Sequence, residues 1–355
     1  MNKQRIRRLE SYLQKEGFEA LLFTSPENLR YASGFGGGEG VVILGAGKRI
    51  LLTDSRYILQ AEKEAEGFTV LEYTRRWEEV AAAIREAGIR RLGFESYHVT
   101  HETYRDLRRC TKKIFLAPLP KTVKSIRAIK EKEEVVRIRR AAGIAERGLA
   151  KIIPQIKPGA KERELALSLE CQIRQEGADK VSFELIVVSG RRGACPHGAP
   201  GRKAIRRGEF VTIDFGAVYD GYCSDETCTV MVGQPKAEQI RVYGAVKEAH
   251  DEAIARVAPG VKFSEIDATA RRVLEKAGLN TYFRHGTGHG VGLAVHEAPA
   301  LYPLVAGEVE TGMVFTVEPG VYIPHWGGVR IEDMVEVTRY GCELITRRSK
   351  KLLIL

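Results

Sequence analysis

A carboxylate inside an apolar strand is the first residue that asks for chemistry. In FVTIDFGAVYDGYCSDETCTV, Val211, Ile213 and Phe215 alternate with polar or small residues, the period of a β-strand, and Asp214 lies among them. An acid there needs a partner, because burying an unpaired charge is costly. The chain turns near Asp220–Gly221 and returns, which reads as a hairpin with Asp214 on one arm and Asp225 on the other. Two close carboxylates raise one pKa unless a cation sits between them. Asp220, directly before Gly221, reads as a turn residue.

Downstream, HGTGHGVGLAVHEAP places His285, His289 and His296 within twelve residues, three of the eight histidines in the chain. Gly286, Gly288, Gly290 and Gly292 would let the backbone pass close to something bound. A phosphate cradle is the weaker reading, since the run has no lysine and no preceding strand of the right kind. MVFTVEPG then reads as a buried strand ending at Glu318, and in GGVRIEDMVEV Arg330 and Glu332 are two apart, so that a strand would turn them the same way. Together Asp214, Asp225, His289, Glu318 and Glu332 make four carboxylates and one imidazole. That donor set suits two divalent ions of hard character: manganese first, then cobalt, with zinc and iron as alternatives. A pair of metals roughly 3.5 Å apart can activate water and polarise a carbonyl.

The elements that must position these residues fall into two regions. Up to about residue 120, short apolar runs at Ala20, Val41, Arg49, near Glu95 and at Lys113 alternate with helical patterns at 57–66, 77–87 and 102–109, an α/β layer pattern. Pro118 and Pro120 mark a joint. Beyond it, helices are expected from Glu131 to near Pro154, over 160–175, 238–258 and 263–277. Strands are expected at Phe183, Phe210 and Tyr222, followed by a strand-rich, glycine-rich last quarter.

Composition excludes several classes. The chain has 355 residues, 44% of them hydrophobic, enough for a sizeable core and a soft prior for two domains. No stretch approaches the roughly 18 uncharged apolar residues of a membrane span. The N-terminal stretch is charged, with helical spacing of Ile6, Leu9 and Leu13 and no apolar signal core, so a cytoplasmic location is expected. Six scattered cysteines with no CxxC pair read as reduced thiols. The net charge of +10 is spread among acidic residues without aromatic interleaving, which argues against nucleic acid as a partner.

The ordered motifs IDFG, SDET, GHGVG, VEPG and RIED resemble those of the pita-bread metallopeptidases: aminopeptidase P, prolidase and methionine aminopeptidase. YASGFGG at Tyr31 and TDSRY at Thr53 resemble the N-terminal domain shared by aminopeptidase P, prolidase and creatinase; methionine aminopeptidase usually lacks such a domain. The resemblance implies an α/β N-terminal domain, a mixed sheet with flanking helices, over 1–122. It implies an α+β pita-bread catalytic domain over 123–355. Asp214 would bind one metal, Asp225 and Glu332 would bridge both, and His289 and Glu318 would complete the second site. Glu318 would also handle the proton of the attacking water. His197, His285, His296 and Arg330 would contact substrate, His296 holding the scissile amide or the tetrahedral intermediate, and Tyr222 would support the metal site. A homodimer acting on short proline-containing peptides is implied.

Three departures stand out. Arg191–Arg192 replace an asparagine-containing stretch, Cys228 stands where an arginine is common, and Ala300 stands where several prolidases carry a carboxylate-gripping arginine. The last favours an Xaa-Pro aminopeptidase over the alternative, a prolidase. A non-catalytic binding protein or a metal-free creatinase-like hydrolase fits poorly, because all five ligand positions are intact.

Overall fold

The computed structural model describes residues 3–355, with only the backbone described for Lys3 and residues 121–123; Met1 and Asn2, where the charged N-terminal stretch begins, lie outside the described residues. The chain divides into two compact units, 1–126 and 127–355.

The first unit is built on strands β1 (Ala20–Phe23), β2 (Val41–Gly45), β3 (Lys48–Thr53), β4 (Thr69–Glu72), β5 (Arg91–Phe94) and β6 (Phe115–Pro118), arranged in the order β4-β3-β2-β1-β5-β6. β1–β2 and β2–β3 are antiparallel, and the other neighbours are parallel. The sheet is therefore mixed, and helices α1 (Lys3–Glu16), α2 (Pro26–Ser33), α3 (Ile58–Glu64), α4 (Arg76–Glu86) and α5 (His101–Cys110) flank it. Sequence periodicity misses α2 and β4. The eight residues of α2 are defined by their ends instead: Ser25 accepts a hydrogen bond from the Asn28 amide, Pro26 opens the first turn, and Gly34 closes the helix at φ 85°. β4 is a largely exposed edge strand with little apolar signal.

The second unit contains α6 (Lys132–Ile152) and α7 (Glu162–Gln175), then β7 (Lys180–Val181), β8 (Ile186–Ser189), β9 (Glu209–Phe215), β10 (Ala217–Tyr219), β11 (Tyr222–Cys223) and β12 (Glu226–Val232). After α8 (Ala237–Ala255) and α9 (Phe263–Lys276) come β13 (Gly288–Gly290), β14 (Glu297–Leu301), β15 (Val314–Val317), β16 (Gly320–Ile323), β17 (Gly327–Arg330), β18 (Asp333–Val337) and β19 (Cys342–Leu344). One plan is used twice, a helix pair covering an antiparallel sheet. α6 and α7 pack Ile144, Leu149, Leu169 and Ile173 against Val211, Ile213, Phe215 and Val230 of the β12-β9-β8 sheet. α8 and α9 pack Val246, Ile266 and Leu274 against Phe315, Val317 and Val335 of the β14-β13-β15-β18-β19 sheet. Each such side chain contributes about 1.5–3 kcal/mol on burial.

Strand alternation converts this packing into a site. With Val211, Ile213 and Phe215 committed to the helices, Thr212 and Asp214 must face the opposite way. Register then places Thr227 beside Asp214 and Thr229 beside Thr212, whose hydroxyls lie 3.2 Å apart. The fold thus leaves one polar face on an otherwise apolar sheet.

Two local readings change. The expected single hairpin is two pairings: β10 pairs with β11 at the Asp220–Gly221 turn, while β9 pairs with β12. Gly216 permits the break, because a side chain there would strike the Ser224 carbonyl. Asp225 therefore lies just before β12 rather than within a strand. The expected strand through RIED is also broken: β17 stops at Arg330, β18 begins at Asp333, and Glu332 sits in the link.

Candidate metal centre

Five elements converge on one cluster. Asp214 comes from β9, Asp225 precedes β12, His289 lies on β13, Glu318 follows β15, and Glu332 links β17 to β18. One ligand atom from each of Asp225, His289 and Glu332 lies within 4.8 Å of the others. His289 Nε2 is 3.5 Å from Asp225 Oδ2 and 3.4 Å from Glu318 Oε1. Arg330 Nη2 donates to Asp214 Oδ2 at 2.6 Å.

Two threonines orient the carboxylates. Thr227 Oγ1 donates to Glu332 Oε2 at 2.6 Å, and Thr316 Oγ1 donates to Glu318 Oε1 at 3.3 Å. Each is two residues from a candidate ligand, Asp225 or Glu318, and that spacing is the signal sequence reading overlooked. The glycines around His289 have a different reason from close approach to a ligand. Side chains at Gly288 and Gly290 would collide with the Thr316 and Ala298 carbonyls, so these positions are empty to let β13 pass its neighbours.

The electrostatics call for a cation. Burial raises the Asp225 and Glu332 carboxyls well above their usual range, and neighbouring carboxylates push them further; burial also raises Glu318. Asp214 Oδ1 and Glu332 Oε1 are buried without a hydrogen-bond partner among the described residues. His289 Nδ1 lies 3.2 Å from its neighbour's carbonyl, Gly290 O, and donates to it, which leaves the Nε2 lone pair aimed at the carboxylates. Burial lowers the pKa of this ring, consistent with a neutral imidazole. Orphaned oxygens, an oriented imidazole and an excess of negative charge fit hard divalent cations.

All nine residues expected to bind metal or substrate line one cavity of about 590 Å³, the five above with His197, His285, His296 and Arg330, whereas Tyr222, expected to support the metal site, does not line it. The His289 and His296 ring centroids are 4.1 Å apart. Burial lowers the His285 and His296 pKa values, and in His296 the neighbouring His289 lowers it further. Tyr322, which sequence reading missed, joins the set. Its hydroxyl accepts from Arg330 Nη1 at 2.8 Å and donates to His285 Nε2 at 2.9 Å, while His285 Nδ1 donates to Gly286 O at 2.8 Å. Burial opposes the Arg330 cation, but Tyr322, Asp214 and the other carboxylates raise its pKa overall. Tyr222 directs its hydroxyl to Glu134 at 3.1 Å.

His197 rides on a loop fixed at both sides. Arg330 Nη1 donates to Pro196 O at 3.2 Å. The fully buried Glu162 accepts from the Ser189 amide and hydroxyl, each at 2.8 Å, from Arg192 Nε at 2.9 Å and from the Gly201 amide at 3.0 Å. Arg192 also donates to Ala199 O at 2.6 Å, so it serves the loop, and Arg330 is the arginine in the cavity lining.

The Metallopeptidase family M24 model matches residues 136–339, more than half of the chain, and the Creatinase/Prolidase N-terminal domain model matches residues 5–129. This chain belongs to the M24 metallopeptidases. An Xaa-Pro dipeptidase of Pyrococcus furiosus is 33% identical to this M24 peptidase over 353 residues, covering 99% of this chain and 100% of that protein. The structure of an Xaa-Pro dipeptidase from Bacillus anthracis matches with a TM-score of 0.96 and 40% identity, covering 99% of each chain. That of an X-Pro aminopeptidase from Thermotoga maritima matches with a TM-score of 0.91 and 34% identity, over 99% of this chain and 100% of that one. These matches carry the pita-bread fold, and the family uses divalent metal ions. Among the described residues, no helix of this M24 peptidase is long and apolar enough to cross a membrane.

Proposed function

We propose that this chain is an Xaa-Pro dipeptidase that hydrolyses the bond before proline, with longer Xaa-Pro peptides as poorer substrates. The observation that carries the reading is the convergence of Asp214, Asp225, His289, Glu318 and Glu332 in one cavity with three further imidazoles. The dipeptidase names of two relatives aligned along nearly the whole chain favour this choice over the aminopeptidase preference drawn from Ala300. Ala300 does not line the cavity, where His197 and His296 are imidazoles that no hydrogen bond from the described residues engages. A neutral imidazole N–H can donate to a substrate carboxylate or carbonyl oxygen.

In this reading the five residues hold two divalent ions, manganese being the first choice for an oxygen-rich donor set. Bound there, the ions supply Lewis acidity for the scissile carbonyl and lower the pKa of water. The Glu318 carboxylate takes the proton of the attacking water and returns it to the proline nitrogen. His296 donates to the developing oxyanion. Arg330 fixes Asp214 and, through Tyr322, the His285 ring. A bond to proline has no N–H and a restricted φ, so it cannot be read as an extended strand and needs a shaped pocket, to which His197 and His285 contribute.

The test offers chelator-treated, manganese-reloaded protein Ala-Pro, Ala-Pro-Gly and Ala-Ala. Ala-Pro should turn over at least tenfold faster than the tripeptide, with Ala-Ala resistant. Faster cleavage of the tripeptide would return the assignment to an Xaa-Pro aminopeptidase. Failure to cleave either proline peptide would refute the proposal.

A further inference from the structure

We propose that Lys350 is a positioning residue for the metal cage, clamping from behind the two strands that present Asp225 and Glu332. The inference rests on the metal reading above.

Lys350 belongs to the basic run RRSKK. Its side chain is only 6% exposed. Nζ pairs with Glu226 Oε1 and lies 3.0 Å from Asp333 Oδ1, and both acids are almost fully buried. Glu226 directly follows Asp225, and Asp333 directly follows Glu332. Neighbouring residues along extended backbone project to opposite sides. Asp225 and Glu332 point into the cavity, while Glu226 and Asp333 turn away from it and meet at Lys350. The side that collects like charge for a cation is thus backed by a buried cation joining the same two segments.

The backbone makes the clamp rigid. The Ile345 amide donates to Met334 O at 2.8 Å, tying the segment to β18. The Met231 amide donates to Leu353 O at 2.8 Å, and the Leu355 amide donates to Met231 O at 2.8 Å, tying it to β12. Lys350 lies between these anchors, and Tyr243 donates its hydroxyl to the Lys350 carbonyl at 3.1 Å. Around the ammonium, Asp333 Oδ2 is 3.2 Å from His250 Nε2, and Thr346 Oγ1 donates to Asp333 Oδ1. In front, the Glu332 amide donates to Thr227 O at 3.2 Å, Thr227 Oγ1 donates to Glu332 Oε2 at 2.6 Å, and Thr229 Oγ1 donates to Arg330 O at 2.9 Å, so the same two segments are joined on both sides. Lys350 braces from behind the spacing at which Asp225 and Glu332 face one another, and it is the cation that offsets the charge of their two acidic neighbours.

The experiment measures Mn2+ binding to chelator-treated, folded protein by calorimetry and by the Mn2+ spin-resonance spectrum, alongside the Tm of the metal-free form. Lys350→Met strips Glu226 of its cation and leaves Asp333 with only His250 and Thr346, which lowers that Tm. The double variant Glu226→Gln/Lys350→Met removes one of those charges and restores much of it. The clamp predicts that the double variant, although folded, binds Mn2+ at least tenfold more weakly or takes one ion instead of two. Lys350→Arg should restore part of the affinity. Wild-type affinity and stoichiometry in the double variant would overturn the role and leave Lys350 a packing residue. Wild-type protein that takes up no Mn2+ would instead sink the metal reading on which the inference stands.

Discussion

Removing a candidate metal ligand should stabilise the metal-free protein, and Glu332→Gln is the cleanest case. A Glu332 oxygen lies within 4.8 Å of a carboxylate oxygen of Asp225. Two unit charges at 4.8 Å in an effective dielectric of about 20 repel by about 3.5 kcal/mol. Glutamine keeps an acceptor for Thr227 and loses some attraction to Arg330, leaving a net gain of about 2 kcal/mol. For a unit of this size that raises Tm by roughly 4–8 °C. The sign depends on pH. Burial and then the neighbouring carboxylates raise the Glu332 pKa in the fold, so the native state holds a proton that the unfolded chain releases above a pKa of about 4.3. Wild-type stability from this group is therefore intact at low pH and lost as pH rises through the folded value. The variant should approach wild type below about pH 4, where both states hold the proton, and exceed it at pH 8. Scanning calorimetry of chelator-treated protein at low salt reads both, and a manganese titration should show lost binding. A lower Tm for the variant at pH 8, or the same gain at both pH values, would refute the electrostatic argument.

Two further outcomes follow from geometry. Glu162→Gln places an amide N–H against donors that now share a carboxylate, and a hydrogen bond to a charged group contributes about 1.5–3 kcal/mol. Steady-state kinetics should show KM for Ala-Pro rising about tenfold with kcat within twofold and metal content unchanged; an unaltered KM would dissociate the clamp from the His197 loop. Gly288→Ala drives a methyl group into the Thr316 carbonyl, and overpacking of this kind costs about 3 kcal/mol. Its Tm should fall by roughly 6–12 °C, and an unchanged melt would show that β13 has room to move.

What could be read from the chain depended on how unusual each residue was in its surroundings. Asp214 announced itself because an acid interrupts an apolar alternation, and three histidines in twelve residues are hard to ascribe to packing. Thr227 and Thr316 offered only their spacing of two from a candidate ligand, and Tyr322 offered no signal, since neutral polar residues are ordinary in strands. Their roles depend on register, which sequence alone leaves open. Lys350 was not singled out at all: it sits among other bases in RRSKK, and only the tertiary path of the segment buries it. Strand breaks at Gly216 and Ile331 were invisible because each shifts the pattern by one or two residues while the apolar runs on either side stay intact.

The wide spread of the cluster along the chain has a consequence for assembly. Its members are drawn from β9 to the link between β17 and β18, so no local stretch of the polypeptide holds more than a fraction of them. An emerging chain on the ribosome would offer scattered weak sites and nothing selective. On the proposed two-metal reading, capture of a cation pair would be deferred until the closing strands have docked, and retention of metal through gel filtration would then count completed molecules in a translation reaction.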